Sequence, residues 1–397
     1  MTIHQNILQK LAISTFLLSI PFNSAFAQDA TAIADRLKAA LAKQGIAITW
    51  TAVSGDASAL TLEGATIKPA AEANALPIGN ITLSNVTEDE GALVIDTLTT
   101  QPFSKTQDGI SLNVSPIVVN GLILPAEGET DPLASILMYE SLQLASMEVK
   151  VADKTAFTMN GLSMDITPPE DGKAMELEGA IEKFTADLTL IEDPQSKAAI
   201  EALGYQNING YAEMAGSWQP SDGRMELSQY DISVEKAGTF GMTFDFGGYT
   251  VDFVKSVQEL SKKLAEQPEG ADNSAQGLAM LGLMQQLTIN GATIRFDDDS
   301  LTGKVLDFVG KQQGMSGKDI ANQAKAIVPF LTGQLNNPEL AAQVTTAVGA
   351  FLDDPKNLEI AAAPSAPVPM SAIMAGAMSN PLDLTKTLGV TVTANQQ

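Results

Sequence analysis

The 397-residue chain has no Cys, and its one His is His4. Beyond position 4 there is neither thiol nor imidazole. Cysteine nucleophiles, Ser-His-Asp triads, His zinc sites and thiol redox chemistry are therefore excluded. Carboxylate, Lys, Ser/Thr or Tyr chemistry is left, or no chemistry. Arginine is confined to Arg36, Arg224 and Arg295, so bidentate clamps for phosphate or carboxylate are scarce. Positive charge is short overall, with 23 Lys+Arg against 47 Asp+Glu and a net charge of −24. That balance argues against nucleic acid and against a polybasic grip on anionic lipid.

What the chain does have is apolar residues, at 45%, a fraction ordinary for a globular protein and too high for a disordered one. Residues 1–27 read as a secretory signal peptide. Lys10 supplies the positive start, Leu11–Phe22 is a short apolar run, and Ala25-Phe26-Ala27 is an A-x-A cleavage signature. The run is shorter than the ~20 residues of a spanning helix, so cleavage after Ala27 is expected rather than anchoring. No Cys follows it for lipid attachment. The expected compartment is the periplasm, where ATP and nicotinamide cofactors are not expected. Roughly 370 residues then remain, enough for one large domain or two to three ordinary ones.

The organisation divides into a β-rich region over 28–249, opened by one helix, and a helical region over 250–397 with strands returning to the sheet. Residues 29–44 carry Ile33, Leu37 and Leu41 at helical spacing, closed by Gly45. Alternating runs follow at Ile46–Val53, Leu60–Ile67, Ile81–Val86, Leu93–Leu98, Ile110–Val114, Met147–Val151, Phe157–Ile166 and Met175–Leu190. Turn formers separate them, which predicts consecutive antiparallel strands. Tyr211–Trp218 and Met225–Val234 flank Pro220-Ser221-Asp222-Gly223, a hairpin signal, and residues 239–249 continue the sheet. One local pattern recurs: Leu60–Ile67 (LTLEGATI) matches Leu287–Ile294 (LTINGATI) at six of eight positions, and Phe157–Met164 (FTMNGLSM) has the same shape. It reads as strand, bend, strand.

Helices are expected after Thr250, Ser300 and Ser316. The first carries Val251, Val254, Val257, Leu260 and Leu264 on one stripe; Ser316 with Asp319 forms a capping box ahead of Ile320, Ile327, Leu331 and Leu335, with Pro329 as a kink. Asn337-Pro338-Glu339 places an N-cap, an N1 proline and a first-turn acid before Leu340, Val344, Val348 and Phe351. Short strands are expected at Leu287–Phe296, Leu358–Ala361 and Val390–Thr393. Ala361–Pro369 and Gln267–Ser274 are the most linker-like segments. The fold class is α+β and mostly β: an elongated, curved antiparallel sheet or open sandwich with a helix-rich C-terminal third packed on it.

Several constellations were weighed for chemistry. Ser233-Val234-Glu235-Lys236 fits S-x-x-K, but in a strand i and i+3 point to opposite faces, and a surface strand end explains it. Asp297-Asp298-Asp299 lacks the spacing of a calcium loop and suits a helix start. Gly314-Met315-Ser316-Gly317-Lys318 fails as a P-loop because Gln312 stands where Gly is required and Asp319 replaces Ser/Thr. No carboxylate pair is singled out for glycoside chemistry, and Trp50 and Trp218 sit in alternating strands where a core role fits better. Gly277–Met284 (GLAMLGLM) and Met370–Met378 (MSAIMAGAM) suit either core filling or a surface for varied apolar ligands. No catalytic, metal-ligating or cofactor-binding residue is assigned.

Three segments carry a resemblance: Leu203-Gly204-Tyr205 through Gly216–Pro220 to Gly223–Leu227, Leu287–Leu301, and Leu388–Val392. Together they resemble uncharacterised proteobacterial envelope proteins similar to the periplasmic part of AsmA-like and YdgA-like families. The resemblance implies an elongated, curved sheet with an apolar inner face, associated with lipid handling or envelope integrity. A cleavable leader stands here where those families usually keep a membrane anchor. The expected function is a non-enzymatic periplasmic envelope protein that holds lipid or another apolar partner in a β-lined groove. The alternatives are an interaction or scaffold protein with a closed core, possibly joined to an envelope protein partner, and a carboxylate-dependent hydrolase.

Overall fold

The structure, a computed structural model, describes residues 30–69, 74–129, 137–169, 173–265, 274–335 and 337–396. The expected leader and most of the Gln267–Ser274 segment lie outside the described residues. The chain forms two compact units, residues 1–175 and 176–397. The described residues hold more strand than helix, and every strand pairing among them is antiparallel.

The first unit opens with helix α1 (Ala30–Lys43). Then come β1 (Ile46–Thr49), β2 (Ala52–Asp56), β3 (Ala59–Pro69), β4 (Leu76–Asp89), β5 (Ala92–Thr100), β6 (Phe103–Gln107), β7 (Ile110–Val114), β8 (Ile117–Leu124), β9 (Ser141–Val151) and β10 (Lys154–Thr167). Neighbours in space are neighbours in sequence. β1 and β2 pair with successive halves of β3 in one unbroken register, so they are one strand interrupted at Trp50-Thr51. β5 and β6 likewise face β8 and β7 in one register, forming a long hairpin. Its turn is Asp108-Gly109, both left-handed at φ 51° and 77°, the geometry that keeps strand twist through a two-residue turn. Strands β6 and β8 escaped the sequence reading. Prolines at 102 and 116 interrupt their alternation, and Pro has no N–H to give a ladder.

The recurring motif has a physical meaning in this unit. Apolar residues alternate, skip one extra position, then alternate again: Leu60, Leu62, Ala65 and Ile67 in β3; Ile81, Leu83 and Val86 in β4; Leu93, Ile95 and Leu98 in β5; Val119, Leu122 and Leu124 in β8. All belong to or pack against one buried core with Ile33, Ala34, Leu37 and Ala40 of α1. In a flat strand the skip would send half of each set to solvent. Local twists restore the face, with Gly64 at φ 58°, Asn85 at 51° and Gly121 at 63° in left-handed backbone. Beside β3 the register shifts between Leu62 and Ala65, which is a β-bulge. Arg36 anchors α1 across this core, its Nη2 donating to the carbonyl oxygens of Gly91 (2.9 Å), Leu124 and Pro125.

The second unit contains β11 (Met175–Asp187), α2 (Pro194–Leu203), β12 (Asn207–Gln219), β13 (Arg224–Val234), β14 (Gly238–Gly247), α3 (Val251–Ala265), α4 (Ser274–Met284) and β15 (Thr288–Asp298). It continues with α5 (Leu301–Gln313), α6 (Gly317–Thr332), α7 (Pro338–Asp353), β16 (Asn357–Ala362), β17 (Val368–Pro369), α8 (Met370–Ser379), α9 (Leu384–Thr387) and β18 (Val390–Ala394). The strands pair in the order β12-β13-β14-β15-β16-β18, with β17 on the other half of the β15 edge that holds β16. Helices are inserted between successive neighbours. Helix α2 was not foreseen, although Asp193-Pro194 is an N-cap and N1 proline: Asp193 accepts from Ser196 N at 2.7 Å. The capping box of Ser316 and Asp319 forms as expected, and Asn337 Oδ1 caps α7 through Leu340 N. Ser300 does not cap α5 by its side chain. Its hydroxyl turns to Lys236 O, and Asp298 Oδ1 takes Thr302 N at 2.7 Å instead, because a carboxylate is the stronger acceptor for a helix N-terminus.

The motif copy Leu287–Ile294 folds differently from Leu60–Ile67. Its Gly291 is not left-handed; Asn290 is the extra residue of a bulge against Asp245 and Phe246 in β14. A Cβ on Gly291 would sit 3.5 Å from Ala362 O, whereas one on Gly64 would meet Thr51 Oγ1 at 3.0 Å in left-handed backbone. Gly64→Ala should therefore cost about 1–2 kcal/mol and Gly291→Ala much less, as read by urea denaturation of the two variants. Equal losses would contradict this difference between the copies.

Candidate functional site

Register assigns each side chain of the second sheet to a face, since residues directly opposite in an antiparallel pair share one. One face carries Ile232 on β13, Phe240, Met242 and Phe244 on β14, Ala292, Ile294 and Phe296 on β15, Leu358 and Ile360 on β16, and Val392 and Ala394 on β18. The β14 bulge keeps Phe246 with this set, opposite Met225 and Ile289. Phe244 and Phe246 stack with ring centroids 4.8 Å apart. The face is thus apolar from β13 to β18.

Helices cover only parts of it. Leu340, Val344, Ala347 and Phe351 of α7 pack on Phe296, Leu358, Val390, Val392 and Ala394. Elsewhere in the unit Trp218 is buried under Tyr249, and Tyr249 meets Phe253 of α3; the indole Nε1 donates to Tyr249 O at 2.7 Å. Between lies an uncovered strip: Phe240 is 41% exposed, and Ile294 and Ile360, directly opposite one another, are each 47% exposed. Strand interiors do not normally leave such side chains open, and a contiguous exposed apolar patch marks a place where something apolar binds.

The opposite face is polar and internally satisfied. Arg224 forks onto Asp245 (Nη2–Oδ2 2.9 Å, Nε–Oδ1 3.2 Å) and reaches Glu226, while Asn290 Nδ2 donates to the same Asp245 at 2.8 Å. Arg295 forks onto Asp297 with two bonds of 2.8 Å and reaches Glu359. These carboxylate contacts, hydrogen bonds to the aspartates first, raise both guanidinium pKa values. With Arg36 bound to backbone carbonyls, all three arginines are committed to the protein itself.

The sequence-derived candidates disperse. Ser233 is buried rather than at a surface strand end, sharing a 2.6 Å hydrogen bond with Thr239, and Lys236 sits in the following turn. Of Asp297-Asp298-Asp299, the first serves Arg295 and the second caps α5, the helix-start role expected. Gly314 ends α5 and Gly317 begins α6. Trp50 packs against the first unit's core, with Lys38 Nζ 5.4 Å from its ring centroid. The two Met-rich stretches form α4 and α8, neither with a buried residue, and Leu278, Leu281 and Met378 are exposed. Ile327 and Leu331 of α6 are also exposed, beside Phe330. No helix among the described residues is long and apolar enough to cross a membrane. The open strip was missed because periodicity shows which face is apolar but not which part of it a helix leaves bare.

A family model described as an uncharacterized protein matches residues 231–395, from within β13 to the end of β18. No curated protein matches the chain.

Ile294→Asp places a carboxylate in the middle of the strip at a half-exposed position. It should weaken binding of an environment-sensitive apolar dye by about tenfold while changing stability by about 1 kcal/mol or less, in paired fluorescence and denaturation titrations. An unchanged dye affinity would remove the strip as the binding surface.

Proposed function

We infer that this chain is a non-enzymatic periplasmic protein of the bacterial envelope that holds a lipid or another apolar partner on its β-lined face. The observation that carries the reading is the row of Phe240, Ile294 and Ile360, left open at the centre of a face that is otherwise apolar and covered. Burying about half of three such side chains favours association by roughly 1 kcal/mol each. Absence of thiol and imidazole beyond His4 agrees with binding rather than bond-making. In this reading the helices after residue 250 pack around the face as rims, and Met-rich α4 and α8 lend side chains that adapt to varied chain shapes. The AsmA-like and YdgA-like resemblance implies the same ligand class.

A scaffold role with a closed core is the second reading, and the first unit favours it. There Leu60, Leu62, Leu83, Ile95 and Leu124 are sealed under α1.

Native mass spectrometry of protein purified from its own periplasm separates the two. Lipid or another apolar adduct, lost in Ile294→Asp, is expected. A clean unliganded mass across preparations and detergents would leave the scaffold reading.

A further inference from the structure

The first unit contains a feature that an apolar-binding role does not use. Where the long hairpin of β5–β6 and β7–β8 crosses β9, the ladder is broken on both arms at once. The shared register sets Pro102 opposite Ser115 and Gln101 opposite Pro116. Two prolines facing one gap remove the donors that would close it. β9 changes partner at the same place, from β8 through Leu144 to β7 from Met147. The result is a cleft of about 400 Å³ walled by Phe103, Ser104, Asn113, Ser115, Ser146 and Glu148, among others. That volume lies in the range of small-molecule sites.

The chemistry of the wall narrows the ligand. Glu148 is its one charged side chain and is already engaged: Oε1 accepts from Thr155 Oγ1 at 2.8 Å, and Oε2 accepts from Lys150 Nζ at 3.2 Å and Asn113 Nδ2 at 3.4 Å. These contacts, the Thr155 hydroxyl first and Lys150 next, hold its carboxyl below the usual range. A neutralised single carboxylate is a poor cation site and an unwelcoming neighbour for an anion. Holding the Asn113 amide by its nitrogen leaves Oδ1 free as an acceptor. Ser115 Oγ is taken by Ser146 N at 2.8 Å, while the hydroxyls of Ser104 and Ser146 have no protein partner among the described residues. Phe103 and Val114 add an apolar patch.

We propose that this proline-opened cleft binds a neutral saccharide of one or two rings. Ser104, Asn113 and Ser146 exchange hydrogen bonds with its hydroxyls, and Phe103 and Val114 meet the C–H face of a ring. A sugar matches this wall because it presents donors and acceptors on its rim, C–H groups on its face and no charge. The site is independent of the apolar strip in residues 207–394.

Maltose, cellobiose and N,N′-diacetylchitobiose at millimolar concentrations are the probes, read by backbone amide NMR of the full chain. One or more should shift the amides of Asn113, Ser115 and Ser146 saturably. Asn113→Leu and Ser146→Val should each weaken that binding about tenfold with the circular-dichroism spectrum unchanged. Ile294→Asp should leave it intact, so failure here and failure of the apolar-face reading are distinguishable. Should either cleft variant unfold, Ser104→Ala serves as the milder test, with a loss of about three- to tenfold. No shift at these amides with any of the three sugars, or shifts that persist in the folded variants, would overturn the proposal.

Discussion

Keeping one face of a long strand dry is the constraint on which this structure depends. A strand of 11 to 14 residues, such as β3 or β4, twists too far for strict alternation to stay on one core. The chain answers with one extra residue near the middle and a local change of backbone that returns the second half to the first half's face. Neighbouring strands make the skip at matching places. Leu83/Val86, Ile95/Leu98 and Val119/Leu122 lie across from one another, so the correction runs over three strands together. Without that coordination, half of each apolar set would face water.

The same device produces different surfaces in the two units. In the first, α1 closes the apolar face and Arg36 ties the helix to three carbonyls at the strand ends. In the second, α7 covers the β16–β18 side while the middle of the face stays open. Polar matching on the reverse face fixes which side is which, because Arg224–Asp245 and Arg295–Asp297–Glu359 are satisfied only on the outer side of β13–β16. The charge that remains is mostly negative and spread over exposed carboxylates, which keeps the open apolar strip from being a general adhesive for like molecules.

Prolines act here as openings rather than as ends. Pro102 and Pro116 do not terminate the hairpin, since register runs through them unchanged. They remove the hydrogen bonds that would close it, and the polar side chains nearby face a gap instead of a ladder.

Most strands, the helix capped by Ser316 and Asp319, and the helix begun by Asn337-Pro338 were legible from residue types, because alternation and capping are local. So was the engaged, non-catalytic character of Asp297-Asp298-Asp299. Strands β6 and β8 were not, because a proline hides alternation in a short window. Nor was the difference between Gly64 and Gly291, since LTLEGATI and LTINGATI are nearly one string; the partner strand decides whether the extra residue is absorbed by left-handed glycine or by a bulge. Ser300 likewise looked like a cap until Asp298 and the Lys236 carbonyl were brought beside it. The amino-acid string on its own settled that long strands would each turn one oily side the same way and that no thiol or imidazole beyond His4 could do chemistry. Which stretch of that side stays uncovered was decided only by packing in three dimensions, because coverage depends on where distant helices land.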